Sequence, residues 1–101
     1  MTKKRFMNAR YATRTIVDTL HPILTAFLWD KVEKLPEDRD YLQVFDLYEQ
    51  DGKQWIRHRA EEPKHCTEYE FPYQLVSGIV TDKVYIIDDG DHSTMLFAEE
   101  Y

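Results

Sequence analysis

Residues 83–101, KVYIIDDGDHSTMLFAEEY, constrain the fold of this chain more than any other stretch. Two apolar runs, 84–87 and 94–98, flank an acidic link at 88–93 that contains one glycine. Each run is about as long as a strand and rich in β-branched or aromatic residues, which predicts a β-hairpin. Both of its faces are apolar. Val84 and Ile86 point one way and Tyr85 and Ile87 the other, while Met95 and Phe97 oppose Thr94, Leu96 and Ala98. Strands that are apolar on both sides belong in the interior of a structure.

One stretch offers a clear cover for them. His21 followed by Pro22 predicts a helix start, because proline's missing N–H costs nothing at the first helical position. Ile23, Leu24, Phe27, Leu28, Val32 and Leu35 then trace one helical face, with Trp29 beside it, and Pro36 ends the run. Ahead of this helix, residues 1–9 have no period and read as a flexible basic arm, and 11–17 (YATRTIV) reads as a short strand. Beyond it, strands over 41–49 and 54–60 are joined through Asp51-Gly52, the dipeptide that suits a type I′ turn. Asp46 interrupts an apolar face of the first, predicting a bulge or a point of emergence into solvent. In the second, Trp55, Arg57 and Arg59 alternate with Ile56 and His58, as in a strand near a sheet edge. A further strand over 67–71 ends at Pro72, and 73–81 (YQLVSGIVT) reads as an apolar strand bent at Gly78.

The expected fold is therefore α+β, a single domain over 10–101. One amphipathic helix packs on a mainly antiparallel, strongly curved sheet of about five strands. A helix of about fourteen residues is roughly 20 Å long and covers one face of such a sheet. Tyr85, Ile87 and Leu96 on the other face would form an apolar patch unusual for a monomer unless curvature or a second molecule covers it. These three residues are the candidate protein interface, and a homodimer is the simplest expected assembly.

Charge and cysteine usage narrow the class. The net charge of −6 is uneven: Lys3, Lys4, Arg5, Arg10 and Arg14 give residues 1–14 a charge of +5, leaving −11 on the remainder. That acidity counts against nucleic acid as the partner, since non-specific binding is mainly phosphate neutralisation. Lys3, Lys4, Arg5 and Arg10 are nonetheless the residues through which the arm would touch phosphates. Six acids in the last twenty residues suit a basic protein partner instead. Cys66 is the single cysteine, which excludes an intrachain disulfide and points to a cytoplasmic protein, with the thiol read as partly buried. No apolar run approaches ~18 residues, so no membrane partner is expected.

Asp88, Asp91 and His92 are the candidate metal ligands. A turn at Asp89-Gly90 would set Asp88 and Asp91 across its neck, where two carboxylates invite a divalent cation. The cluster lacks the spacing of a calcium loop, and adjacency of Asp91, His92 and Ser93 is not how a catalytic triad assembles. His58, His65, Cys66 and His92 form a weak zinc set without paired short spacing. Tyr41, Tyr48, Trp55 and Tyr69 near Arg57 and Arg59 suit a stacking platform for single strands, and equally a cross-strand aromatic cluster. No dinucleotide fingerprint or phosphate loop is present, no cofactor is expected, and the reading leans away from an enzyme.

Four segments, RYATRTIVDTL (10–20), FLWDKV (27–32), DYLQVFDL (40–47) and VYIIDDGDHSTMLFAEEY (84–101), resemble in order a family of short bacterial proteins, the domain of unknown function numbered nine hundred and sixty. The resemblance carries no activity or catalytic residues. It implies a small accessory protein of Gram-positive bacteria, of a kind found near phage or mobile-element genes, that works by binding.

Overall fold

The computed structural model describes residues 5–101. It contains strand β1 (Ala9–Ala12), helices α1 (Arg14–Thr19) and α2 (Pro22–Glu33), and strands β2 (Leu42–Gln50), β3 (Lys53–Glu61), β4 (Lys64–Glu70), β5 (Asp82–Asp88) and β6 (His92–Phe97). A 3₁₀ turn, Ala98–Glu100, follows. The six strands form one sheet in the order β1-β6-β5-β2-β3-β4. All pairs are antiparallel except β1 with β6, which run parallel.

The class is α+β as expected, with differences in detail. There are six strands rather than five, the sheet is mixed, and there are two helices. The sheet is open rather than closed by curvature, with β1 and β4 as its edges. The segment 11–17 divides between β1 and α1 because Thr13 caps a helix: its Oγ1 accepts from the Ile16 N–H at 3.3 Å. Burial of Ile16 and Leu20 then outweighs the modest helix propensity of the β-branched residues. The segment 73–81 is a loop, not a strand. It pairs with neither edge of the sheet, and the Gln54 side chain holds it instead, accepting from the Val80 N–H at 2.8 Å and donating to the Val80 carbonyl at 3.0 Å. No bulge forms at Asp46, which pairs in regular register with Arg57 on one side and Lys83 on the other.

Helix α2 begins where the sequence predicts, with the His21 Nδ1 accepting from the Ile23 N–H at 3.0 Å. Leu24, Leu28 and Val32, spaced by four, are buried, whereas Ile23 at the edge of the stripe is exposed. They cover Phe45, Leu47, Ile56, Val84, Ile86, Met95 and Phe97, which alternate along β2, β3, β5 and β6 onto one face of the sheet. Pairing of Val84 with Phe97 and of Ile86 with Met95 makes the predicted hairpin the middle of that layer. At the first turn, Asp51 (φ 54°) and Gly52 (φ 74°) both adopt the left-handed backbone that a type I′ hairpin needs.

From Arg5 onward, the segment read as a flexible arm is part of the domain. Phe6 is 1% exposed and belongs to the core, in spite of a left-handed φ of 63° that is unfavourable for a bulky side chain. Two buried polar groups hold it there. The Phe6 N–H donates to Asp88 Oδ2 at 2.7 Å, and the Arg39 guanidinium lies 5.9 Å from the Phe6 ring while donating to the Arg5 and Leu35 carbonyls. Phe6→Ala removes a buried aromatic and leaves a cavity, so we expect a loss of about 3–5 kcal/mol in urea unfolding. A loss below about 1 kcal/mol would return residues 5–9 to the status of an arm.

Candidate functional site

Sheet register divides the candidate residues between two faces. Asp88 pairs with Ser93 and faces the helices, whereas His92, one residue away, points to the opposite side. The turn lies one position later than the sequence suggests. Asp89 N–H donates to the His92 carbonyl at 2.8 Å, so Gly90 (φ 97°) and Asp91 are its two central residues. Asp88 therefore does not face Asp91 across the neck.

The Asp88 carboxylate already has protein donors on both oxygens. Oδ2 accepts from the Phe6 N–H at 2.7 Å, and Oδ1 from the Gly90 N–H at 2.7 Å and the Asn8 amide at 2.9 Å. Asn8 in turn accepts from the Ser93 hydroxyl at 2.5 Å. Burial alone would raise the Asp88 pKa, but the N–H groups of Phe6 and Gly90, the Asn8 amide and the Arg5 charge together hold it below the ordinary carboxylate value. His92 Nε2 lies 3.3 Å from Asp89 Oδ2, and its ring meets the Tyr11 ring edge-on at 5.5 Å. The three residues read as metal ligands are thus not brought together, and among the described residues no group of three His, Cys, Asp or Glu side chains could hold a metal ion.

The other histidines separate similarly. His58 and His65 meet under α2, with ring centroids 4.7 Å apart, while Cys66 points to the opposite face and is exposed rather than partly buried. A thiol on the outer side of an edge strand has nothing to cover it. His58 is fully buried and stacks on Phe45 at 4.3 Å. Gln43 donates its amide to the Asp40 carbonyl at 2.8 Å, which leaves its Oε1 to accept from His58 Nε2 at 2.6 Å. His58 Nδ1 is therefore the bare nitrogen, and it has no partner. Burial, with the His65 and Lys31 charges adding to it, pushes the His58 pKa down to about 3.

Of the basic candidates, Lys3 and Lys4 lie outside the described residues. Arg10 is engaged by its own domain: it pairs with Glu33 at 2.6 Å and lies over Trp29 at 4.7 Å. Arg5 sits 5.9 Å from the Tyr41 ring. The aromatic platform also divides, since Tyr48 and Trp55 share the outer face at 6.4 Å, whereas Tyr69 turns inward to Phe27 at 6.0 Å.

Tyr85, Ile87 and Leu96 do share one surface, the sheet face that carries no helix. Tyr85 lies between Val44 and Leu96, and Ile87 between Leu42 and Thr94. Beyond Thr94, Tyr11 on β1 extends the row and is 58% exposed. Ile87 and Val44 are each 8% exposed, shielded within the sheet, while Tyr85 and Leu96 are half-buried and Tyr101 meets Tyr85 edge-on at 5.8 Å. Towards the other edge the face becomes polar, with Asp46 bound to Arg59 at 2.9 Å, and Arg57 and the Tyr48 hydroxyl both on Glu68. The sequence pattern identified the apolar half, whereas the ion-pair rows depend on register.

The fold and this surface define a small two-layer α+β protein, helices on one side of an open mixed sheet and a bare sheet on the other. The chain belongs to the family described as staphylococcal protein of unknown function (DUF960), whose model matches residues 9–100. A crystal structure of a protein of unknown function from Enterococcus faecalis has the same fold, with a TM-score of 0.80 over 100% of this chain and 97% of that one, at 21% identity. No curated protein matches the chain. Among the described residues no helix is long and apolar enough to cross a membrane.

The buried histidine gives the protein a defined acid response. The unfolded chain takes up a proton at His58 below about pH 6.5, and the folded protein does not until about pH 3. Above pH 6.5 the group contributes no penalty; as pH falls below it, stability drops by on the order of 1.4 kcal/mol per pH unit from this residue. His58→Gln should flatten the slope of unfolding free energy against pH between about 6 and 4 by about that amount. An unchanged slope would show that His58 is not held neutral.

Proposed function

We propose that the protein acts by binding proteins, and first a second copy of itself, through the helix-free face of the sheet. The observation that carries this reading is the apolar row of Tyr11, Leu42, Tyr85, Ile87 and Leu96 on the face that α1 and α2 leave uncovered, where Tyr101 meets Tyr85 and Ile87 is shielded within the sheet. Its charge supports a self-associating surface. Lys53, Lys64, Lys83, Arg57 and Arg59 stand against Asp46, Glu61, Glu68, Glu70 and, beside His92, Asp89 on this face, a net charge of zero on a chain that totals −6. Two acidic molecules therefore meet here with less repulsion than on the surface that carries the −6.

Six strands about 4.8 Å apart and about 20 Å long present on the order of 600 Å² in projection. Stable interfaces take about 800 Å² from each partner. A dimer must then use the whole face, and the paired charges of its polar rows are what allow their inclusion. The intracellular accessory role implied by the family resemblance, with its phage or mobile-element association, fits such a module.

Sedimentation equilibrium tests the reading directly. The protein should sediment at twice the monomer mass at concentrations of about 100 µM, and Leu96→Lys should convert it to a monomer with unchanged circular dichroism. A wild-type monomer under those conditions would refute self-association through this face.

A further inference from the structure

Away from the open face, the loop between β4 and β5 has an unusual composition. Residues 71–81, FPYQLVSGIVT, contain no charged side chain in a chain that is 32% charged. Loops at a protein surface are ordinarily polar. The inner side of this one is anchored: Phe71 is in the core, Leu75 and Val80 pack against it, and the Gln54 side chain holds the Val80 backbone. Its outer side is apolar and wet, with Val76 fully exposed, Tyr73 58% exposed and Ile79 38% exposed. An anchored loop that presents three apolar side chains to water is built to be covered.

Between this loop and the tip of the β2–β3 hairpin lies a groove of ≈ 770 Å³, with Tyr73 and Ile79 on its loop side. That volume falls in the range of about 300–1,000 Å³ typical of ligand sites. The hairpin side carries Glu49, Asp51 and Lys53, and Glu70 closes one end. Lys53 is taken by Glu70 at 3.7 Å. Glu49 and Asp51 have no ion-pair partner among the described residues, so the groove pairs an apolar wall with two unanswered carboxylates. The geometry points to a docking groove, separate from the open sheet face, for an extended segment of a partner protein that carries lysine or arginine next to an apolar side chain. The cation meets Glu49 and Asp51, and the apolar side chain covers Tyr73 and Ile79.

Peptides selected from a random library on the intact protein provide the probe. The selected sequences should combine Lys or Arg with Leu, Val or Phe. In fluorescence anisotropy their affinity should fall about tenfold or more in Glu49→Lys and in Ile79→Asp. Leu96→Lys, which disables only the sheet face, should leave it unchanged, so that this groove and the self-association reading stand or fall separately. Circular dichroism of Glu49→Lys, an exposed hairpin position, guards against loss of fold as the cause. A library that yields no binder, binders without basic residues, or affinities indifferent to both groove variants would overturn the proposal. A dimer in sedimentation equilibrium that Glu49→Lys or Ile79→Asp converts to a monomer would assign the groove to a second copy and overturn it equally.

Discussion

Every strand of this sheet has two sides, and the helices of the fold are enough to dry only one. Leu24, Leu28 and Val32 of α2, with Ile16 of α1, settle on Phe45, Ile56, Val84, Ile86, Met95 and Phe97. That choice sends Tyr85, Ile87 and Leu96 outward by the alternation of the strand. It also decides the fate of the polar groups. Those on the helix side, Gln43, His58, Asp88 and Ser93, are buried and bonded within the domain, and those on the other side form paired rows that solvent reaches. One packing decision thus divides the molecule into a sealed layer and an available one.

Buried polar groups then do the positioning that apolar contacts cannot. Hydrophobic burial is non-directional, but Asp88 accepts from three specific donors at Phe6, Asn8 and Gly90 and so sets where the first described residues lie against the β5–β6 turn. Arg39 serves the same segment from the opposite end through the Arg5 carbonyl at 2.6 Å. Asp40 plays a comparable part at the other side of the sheet, accepting from the Leu42, Glu61 and Glu62 N–H groups to join the start of β2 to the β3–β4 turn. Carboxylates that accept backbone hydrogen bonds in this way are structural joints rather than reagents.

Much of the local architecture was legible in sequence because it rests on short-range chemistry. His21-Pro22 marks the start of α2, Asp51-Gly52 marks the first hairpin, and the alternation of Val84 to Ile87 marks a central strand. What was not legible depends on partners distant in the chain. The residues of β1 form a strand only because β6 offers them an edge, and the parallel pairing leaves no local signature. The loop 73–81 has the composition of a strand but pairs with neither sheet edge, and a single glutamine side chain satisfies Val80 instead. The acidic turn misled because its centre lies one residue later, which pairs Asp88 with Ser93 in place of Asp91. Asp88 continues the inward row of Val84 and Ile86 and is a buried acceptor, while His92 faces outward to Tyr11.

The parallel pairing of β1 with β6 sets an order of events at the ribosome. Phe6 and Asp88 are 82 residues apart. At roughly 5–20 residues per second, Phe6 waits about 4–16 s before its acceptor has been made. Once α2 is complete, and until β5 and β6 are made, the apolar stripes of both helices have no central hairpin to cover. A premature stop within β6 would leave β2 to β5 intact but remove the strand that β1 pairs with, so the two ends of the chain would be lost from the sheet together.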